Sequence, residues 1–249
     1  MAFVSKIFLS EKEYFRYKSC SDRKIILKSR KNNKPLRLIR NRRETIKFID
    51  TMKIMFFDTE TGGKDAKKCD ILQLSYQIVE FPTFNLVKKQ NFYFKRDRPA
   101  SVEAININGL TDEFLAKQVL APRNIAIKEF LIDLSECFLL VAHCIQFDQA
   151  FIRQTCRRTH YTKRYDKVFS KLQTYDTMKE TADLCRLPFT APRNYQKESR
   201  YKYPRLSELA DFLNIDRNDI NLHDSDSDVT LTVRCFSHLV KMGWINLQV

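Results

Sequence analysis

Asp58 and Glu60 stand two residues apart at the end of the apolar run 52–57, just before Gly62-Gly63. In an extended strand that spacing turns both carboxylates to one side, and the glycines then let the chain turn away. Two carboxylates on one strand tip suit a hard divalent cation. An acid at a strand end before glycine also serves plain turn chemistry, so this pair decides little by itself. Asp148 follows the apolar stretch 138–142 and falls in the first turn of an expected helix, where Phe147 and Phe151 can be core anchors. Its alternative use there is to favour the helix macrodipole. A third group, His223 with Asp228, lies in the segment Leu222-His223-Asp224-Ser225-Asp226-Ser227-Asp228-Val229, which leads into the last amphipathic stretch. Asp224, Ser225 or Asp226 suits the N-cap of that helix. Asp228 adjoins the core residue Val229, and a histidine beside a carboxylate cluster can take a proton from water near neutral pH.

The elements that must carry these groups follow from periodicity. Strand-like stretches are Lys53–Asp58, Ile71–Glu80 with Leu72, Leu74, Tyr76 and Ile78 on one face, and Asn85–Phe94, an antiparallel meander. Pro122 opens an amphipathic helix through Glu136, with Ile125, Ile127, Phe130, Leu131 and Leu134 apolar, and 138–142 reads as a short buried strand. Further helices are expected at 146–158, 176–185, 206–213 and 226–241, the last with Val229, Val233, Phe236 and Val240 on one face. The pattern is a mixed α/β layer fold.

With 249 residues the chain can bury a proper core without disulfides. Its seven cysteines are odd in number, irregularly spaced and contain no CxxC pair, which argues against a disulfide framework or a structural zinc site and for a reducing, cytoplasmic setting. No apolar run approaches the roughly 20 residues of a membrane span, residues 1–10 lack a secretory pattern, and no Gly-rich phosphate loop points to a kinase or dehydrogenase. The net charge of +14 suggests a polyanionic partner, and it is uneven: residues 1–51 hold 15 Lys and Arg against 5 Asp and Glu. Residues 1–51 therefore read as a basic extension, either a solvated tail or an arm on nucleic acid, with Met52 an alternative start, and 52–249 as the domain that carries the three motifs. The stretch 193–205 interleaves Arg193, Lys197, Arg200, Lys202 and Arg205 with Tyr195, Tyr201 and Tyr203, suited to a single strand or equally to a solvated loop, and 157–171 is a second basic stretch.

Phe57-Asp58-Thr59-Glu60-Thr61-Gly62-Gly63, then Ala142-His143 with Phe147-Asp148, then His223 with Asp228 resemble, in order and spacing, the three motifs of the DEDDh, or DnaQ-like, 3′-to-5′ exonuclease family. That family includes proofreading subunits of replicative DNA polymerases, ribonuclease T and oligoribonuclease. The segments 107–111, 175–177 and 206–210 resemble it as well, so the likeness spans about residues 52–241. The resemblance implies a ribonuclease H-like fold, a five-stranded mixed β-sheet flanked by helices. It implies that Asp58, Glu60, Asp148 and Asp228 hold two divalent ions, Mg²⁺ or Mn²⁺, and that His223 is the general base. It further implies that Thr59, Thr61, Gly62, His143, Phe147, Gly109 and Leu110 lie against the terminal nucleotide. The chain departs from the family at Gly62, where Thr or Ala is usual, and at Cys144, where Asn is common; both bear on substrate preference.

Such a site would hydrolyse phosphodiesters at the 3′ end of single-stranded DNA and release nucleoside monophosphates. Four carboxylates offset two divalent ions, so the loaded site accepts a phosphate without net repulsion. One alternative is the same chemistry on RNA 3′ ends, since discrimination rests on the 2′-hydroxyl. A second is a catalytically silent nucleic-acid-binding module, which retention of all four acids and His223 disfavours. A stand-alone nuclease and a proofreading subunit docked to a DNA polymerase stay equally open.

Overall fold

A computed structural model of the chain describes residues 52–189 and 200–248, together with the strand segments Lys6–Leu9, Lys12–Phe15 and Ile25–Ile26. The first two segments pair antiparallel, and the third lies parallel to Leu247–Gln248. Most of the basic run 23–43, and residues 193–199 of the basic and aromatic stretch, lie outside the described residues.

Five strands make the central sheet: β1 (Lys53–Thr61), β2 (Ile71–Glu80), β3 (Leu86–Tyr93), β4 (Leu139–Ala142) and β5 (Gln173–Asp176), in the order β3-β2-β1-β4-β5. The expected meander is the antiparallel half, β1 to β3, while β4 and β5 run parallel to β1. The helices are α1 (Val102–Asn108), α2 (Asp112–Leu115), α3 (Arg123–Leu134), α4 (Ile145–Arg158), α5 (Thr162–Phe169), α6 (Thr177–Glu180), α7 (Ala182–Cys185), α8 (Leu206–Phe212) and α9 (Ser225–Lys241). This is the five-stranded mixed sheet with flanking helices of the ribonuclease H-like fold. No helix among the described residues is long and apolar enough to cross a membrane.

The central strand β1 is apolar on both faces because both are covered. Met55 and Phe57 join Leu74, Tyr76, Phe130 and Phe151 under α3, α4 and α5. Ile54 and Phe56 join Val141, Leu209, Val229 and Phe236 under α8 and α9. Phe236 anchors the second layer, meeting Phe56 and Tyr175 edge-on with ring centroids 5.3 Å away in each case.

Several elements differ from the periodicity. In α3 the buried stripe is Ala126, Ile127, Phe130, Leu131 and Leu134, and Ile125 points to solvent. In α9 the buried face runs through Val229, Thr232, Cys235, Phe236 and Leu239, with Val233 and Val240 at its margin. The stretch 176–185 is broken into two single turns at Thr181. Helices α1 and α2 and strand β5 are too short or too polar for a periodic signal; α1 buries no residue fully and is fixed by its caps, Ser101 accepting from Ala104 N–H and Gly109 closing it at φ 69°.

Candidate active site

The sheet delivers the first two carboxylates. Along β1, Ile54, Phe56, Asp58 and Glu60 alternate onto the face that α9 covers, so the apolar residues anchoring the strand also aim the acids. β4 runs parallel to β1 from Ile54↔Leu139 to Phe56↔Val141, which brings the carboxyl ends of the two strands to one edge of the sheet. There Cys144 makes the turn into α4 with a left-handed φ of 74°, its N–H donating to Asp176 Oδ1 at 3.1 Å. Asp148, one turn later and 2% exposed, meets β1 directly: its Oδ1 accepts from Thr59 N–H at 3.1 Å and from Thr59 Oγ1 at 2.7 Å.

The fourth acid comes from the last helix. Asp224 caps α9, accepting from Ser227 N–H (3.1 Å) and Ser227 Oγ (2.9 Å), and Asp228 sits in the first turn, where the macrodipole favours a negative charge. His223 precedes the cap with φ 67°, and its backbone N–H donates to Asp228 Oδ2 at 3.1 Å. Its exposed side chain overhangs the acids: one ligand-type atom each of Glu60, His223 and Asp228 lie within 4.8 Å of one another.

Buried polar bonds from β2 hold the N-terminus of α9 over the strand tips. Gln73, fully buried and paired in register with Glu60, donates Nε2–H to Asp224 Oδ1 at 2.7 Å, and its Oε1 accepts from Ser225 N–H at 3.3 Å. Ser75 Oγ meets Ser225 Oγ at 2.6 Å and Gln77 Nε2 donates to Thr230 Oγ1 at 2.7 Å, and from β3 the more exposed Lys89 pairs with Asp226 at 2.7 Å. In the sequence these polar positions alternate with Leu72, Leu74, Tyr76 and Ile78 like a solvent-facing side; in the fold they face a helix.

Burial and mutual repulsion dominate the electrostatics. Burial, then the charges of Asp148, Glu60 and Asp228, hold Asp58 well above the ordinary carboxylate range. Burial and Asp228 push Glu60 up to about 8, although a hydrogen bond from Asn108 pulls it down; Asn108 also donates to the Thr61 carbonyl at 3.1 Å. Burial raises Asp148 to about 7 against the two Thr59 bonds, and burial raises Asp228 to about 7 with Asp224 adding to it. Four acids in such a space cannot all ionise without cations. Oδ1 of Asp228 is buried with no hydrogen-bond partner. An all-oxygen carboxylate set with an orphaned oxygen and a shortage of positive charge fits a hard divalent cation.

The residues expected against a nucleotide divide. Thr59 spends its hydroxyl on Asp148, and Thr61 donates its own to the Gly63 carbonyl at 2.8 Å. Both ring nitrogens of His143 are engaged, Nδ1 with Thr177 Oγ1 at 2.9 Å and Nε2 with the Pro204 carbonyl at 3.0 Å, and burial lowers its pKa to about 4; this neutral imidazole braces the 204 segment. Leu110 is buried with Leu72 and Leu115. Gly62 is buried too, its N–H donating to the Asp70 carbonyl and its own carbonyl accepting from Ser101 N–H; a Cβ there would meet Ala100 Cβ at 3.2 Å, so Ala100 fills the space that a larger residue would use. Gly109, exposed, and Phe147, half-buried, keep open surface. In the basic stretch 157–171, Arg158 is committed inward, donating to Asp70 Oδ1 at 2.8 Å and to the carbonyls of Ala66, Lys67 and Cys69, which fixes the loop after β1. Lys163, Arg164, Lys167 and Lys171 stay exposed.

No family model matches the chain. DNA polymerase III subunit epsilon of Haemophilus influenzae is 24% identical over 192 residues, 74% of this chain and 65% of the relative. Among solved structures, E. coli exonuclease I in complex with a dT13 oligonucleotide superposes with a TM-score of 0.61 at 17% identity, covering 76% of this chain and 41% of that one. The zinc ion bound form of the E. coli exonuclease I complex with single-stranded DNA gives a TM-score of 0.63 at 18% identity, over 77% and 41% of the two chains. The chain thus spans 65% of the length of its curated relative and about two fifths of the exonuclease I chains. In the order of its motifs, in sequence and in fold, it resembles the DnaQ-like DEDD exonuclease family.

Proposed function

We propose that the chain is a 3′-to-5′ exonuclease that removes nucleoside monophosphates from single-stranded DNA by hydrolysis of the terminal phosphodiester. The observation that carries this reading is the convergence of Asp58, Glu60, Asp148 and Asp228, from three separate elements, at one sheet edge beneath His223. Divalent cations held by the four carboxylates would supply an acidified water and offset charge on the phosphate. The protein's own residues do the rest. Thr59 fixes the Asp148 carboxylate, the Gln73 and Ser75 bonds fix the helix bearing Asp228, and His223, a ring nitrogen of which lies within 4.8 Å of Glu60 and Asp228, would accept the proton of the attacking water. General-base catalysis of this kind is worth roughly 10²–10⁴-fold. Gly109 and Phe147 offer surface to the terminal nucleotide, and the exposed cations of α5 offer contacts to phosphates further along the strand. DNA is the substrate we favour because the Haemophilus relative is named as a DNA polymerase subunit and exonuclease I is seen with DNA oligonucleotides.

The test uses 5′-labelled and 3′-labelled single-stranded DNA and RNA with wild type, Asp58→Asn and His223→Asn, in Mg²⁺, Mn²⁺ or EDTA. Stepwise shortening of the 5′-labelled DNA and early mononucleotide release from the 3′-labelled DNA, abolished by EDTA and by Asp58→Asn, are expected. Preferential shortening of RNA would move the substrate assignment, and intact strands in every metal from folded protein would overturn the reading.

A further inference from the structure

Four of the 14 residues of α4 are exposed, and they form one line. Gln146, Ala150, Arg153 and Arg157 follow one another at helical spacing, a single ridge on the solvent side. The ridge starts beside Asp148 and, at about 1.5 Å per residue, carries Arg153 and Arg157 about 8 and about 14 Å along the axis from it. Helix α5 packs beside α4, burying Tyr165 and leaving Lys163, Arg164 and Lys167 exposed. Arg158, at the end of α4, donates to the carbonyls of Ala66 and Lys67, which sets the loop carrying exposed Lys67 against that end of the helix. Among the described residues none of these six exposed cations is in an ion pair, whereas Lys53, Lys88, Lys89 and Arg234 elsewhere each have a carboxylate partner. The acids of these segments are Asp148, buried in the site, Asp65, paired with Lys68 at 3.8 Å, and Asp166, so positive charge is in excess.

The rings of the two helices are turned inward. Phe151 and Tyr165 are buried, Tyr165 stacks on Phe169 with centroids 4.2 Å apart, and no Phe or Tyr of α4 or α5 is exposed. A grip on single strands combines cations with rings on which unpaired bases stack. Cations without rings contact phosphates and leave the bases to pair with each other. We propose that α4, α5 and the Lys67 loop form a docking surface for the sugar–phosphate backbone of duplex DNA, and that the strand reaching the site is the frayed 3′ end of that duplex. This inference rests on the nuclease reading for the fate of the frayed end, but not for the docking itself. Such docking ignores base sequence and weakens steeply with salt.

The experiment measures binding of a short DNA duplex and of an oligo-dT strand of equal length to the full chain by fluorescence anisotropy, in EDTA and over a range of salt. For Arg153→Gln/Arg157→Gln the duplex affinity should fall at least about tenfold, and the slope of log K against log salt by about 1.8, about 0.9 for each lost contact, while the single-strand affinity stays within about twofold of wild type. Both positions are exposed and glutamine is a good helix former, so the variant keeps the fold, which thermal unfolding checks. Arg153→Lys/Arg157→Lys should keep the duplex affinity, and Lys117→Gln/Lys241→Gln, which removes two exposed cations outside these segments, should leave it unchanged. Equal losses on duplex and single strand, an unchanged duplex affinity, or the same loss in the Lys117/Lys241 variant would overturn the proposal. Cleavage assays in Mn²⁺ separate the two readings. An active nuclease whose duplex affinity ignores Arg153 and Arg157 sinks this inference alone; duplex binding that depends on them, in a protein that cuts no strand in any metal, upholds the docking surface and removes the nuclease reading.

Discussion

Replacing Asp148 by asparagine should make the metal-free protein more stable while weakening its hold on cations. The carboxyl is raised from 3.8 to about 7, mainly by burial. Because the folded value lies above the unfolded one, its contribution to stability is intact below about pH 4 and is lost as pH rises through about 7. At about 1.36 kcal/mol per unit, three units set a ceiling of about 4 kcal/mol; relaxation of the coupled acids brings the expected gain nearer to about 2 kcal/mol. For a domain of this size that corresponds to roughly 4–8 °C in Tm. Asparagine can still accept both Thr59 bonds through its amide oxygen, so the change removes charge and little else. The assay is thermal unfolding in EDTA at pH 4.5 and pH 8, repeated with Mn²⁺. Asp148→Asn should exceed wild type at pH 8 with the gap closing toward pH 4.5, and Mn²⁺ should narrow it by stabilising wild type more. A variant less stable than wild type at pH 8 in EDTA, or a gap indifferent to pH, would refute the account of the site as a like-charge cluster.

Gln73→Leu leaves the Asp224 carboxylate and the Ser225 N–H short of partners, at a cost of about 1–3 kcal/mol. Misplacement of Asp228 by even about an ångström can lower kcat roughly 100-fold; kcat within twofold of wild type at saturating metal would show that Gln73 does not position the helix. Cys144→Asn relieves a non-glycine residue at φ 74° and should stabilise by about 1 kcal/mol, read from the urea midpoint, with a lower midpoint counting against backbone strain. His143, lowered to about 4, is charged in the unfolded chain before the folded one, so wild type should lose stability as pH falls from about 6.5 to 4. His143→Gln should flatten that part of the profile, and an unchanged slope there would argue against a buried neutral imidazole.

The residues of the candidate site were legible in the sequence because each lies beside a strong local signal. Asp58 and Glu60 end a buried strand, Asp148 opens a helix after another, and Asp228 touches the apolar face of the last helix; such signals need only nearest neighbours along the chain. The β1–β3 meander and the bodies of α3, α4 and α9 were legible for the same reason. Polar alternation on β2 was not interpretable, because Gln73, Ser75 and Gln77 have the same pattern whether they face water or the hydroxyls and caps of α9. Local sequence is equally blind to His143, whose Nε2 bonds to the Pro204 carbonyl, and to Arg158, which binds a loop about 90 positions away in the chain. By itself the sequence determined which acids and which histidine are available and on which elements they ride, since that depends on residue type and period. Only the tertiary structure decided that they meet at one sheet edge, that burial and mutual repulsion raise the acids, and which neighbouring polar groups are already paired, because burial and pairing depend on distances that close only when the sheet and its two helical layers pack.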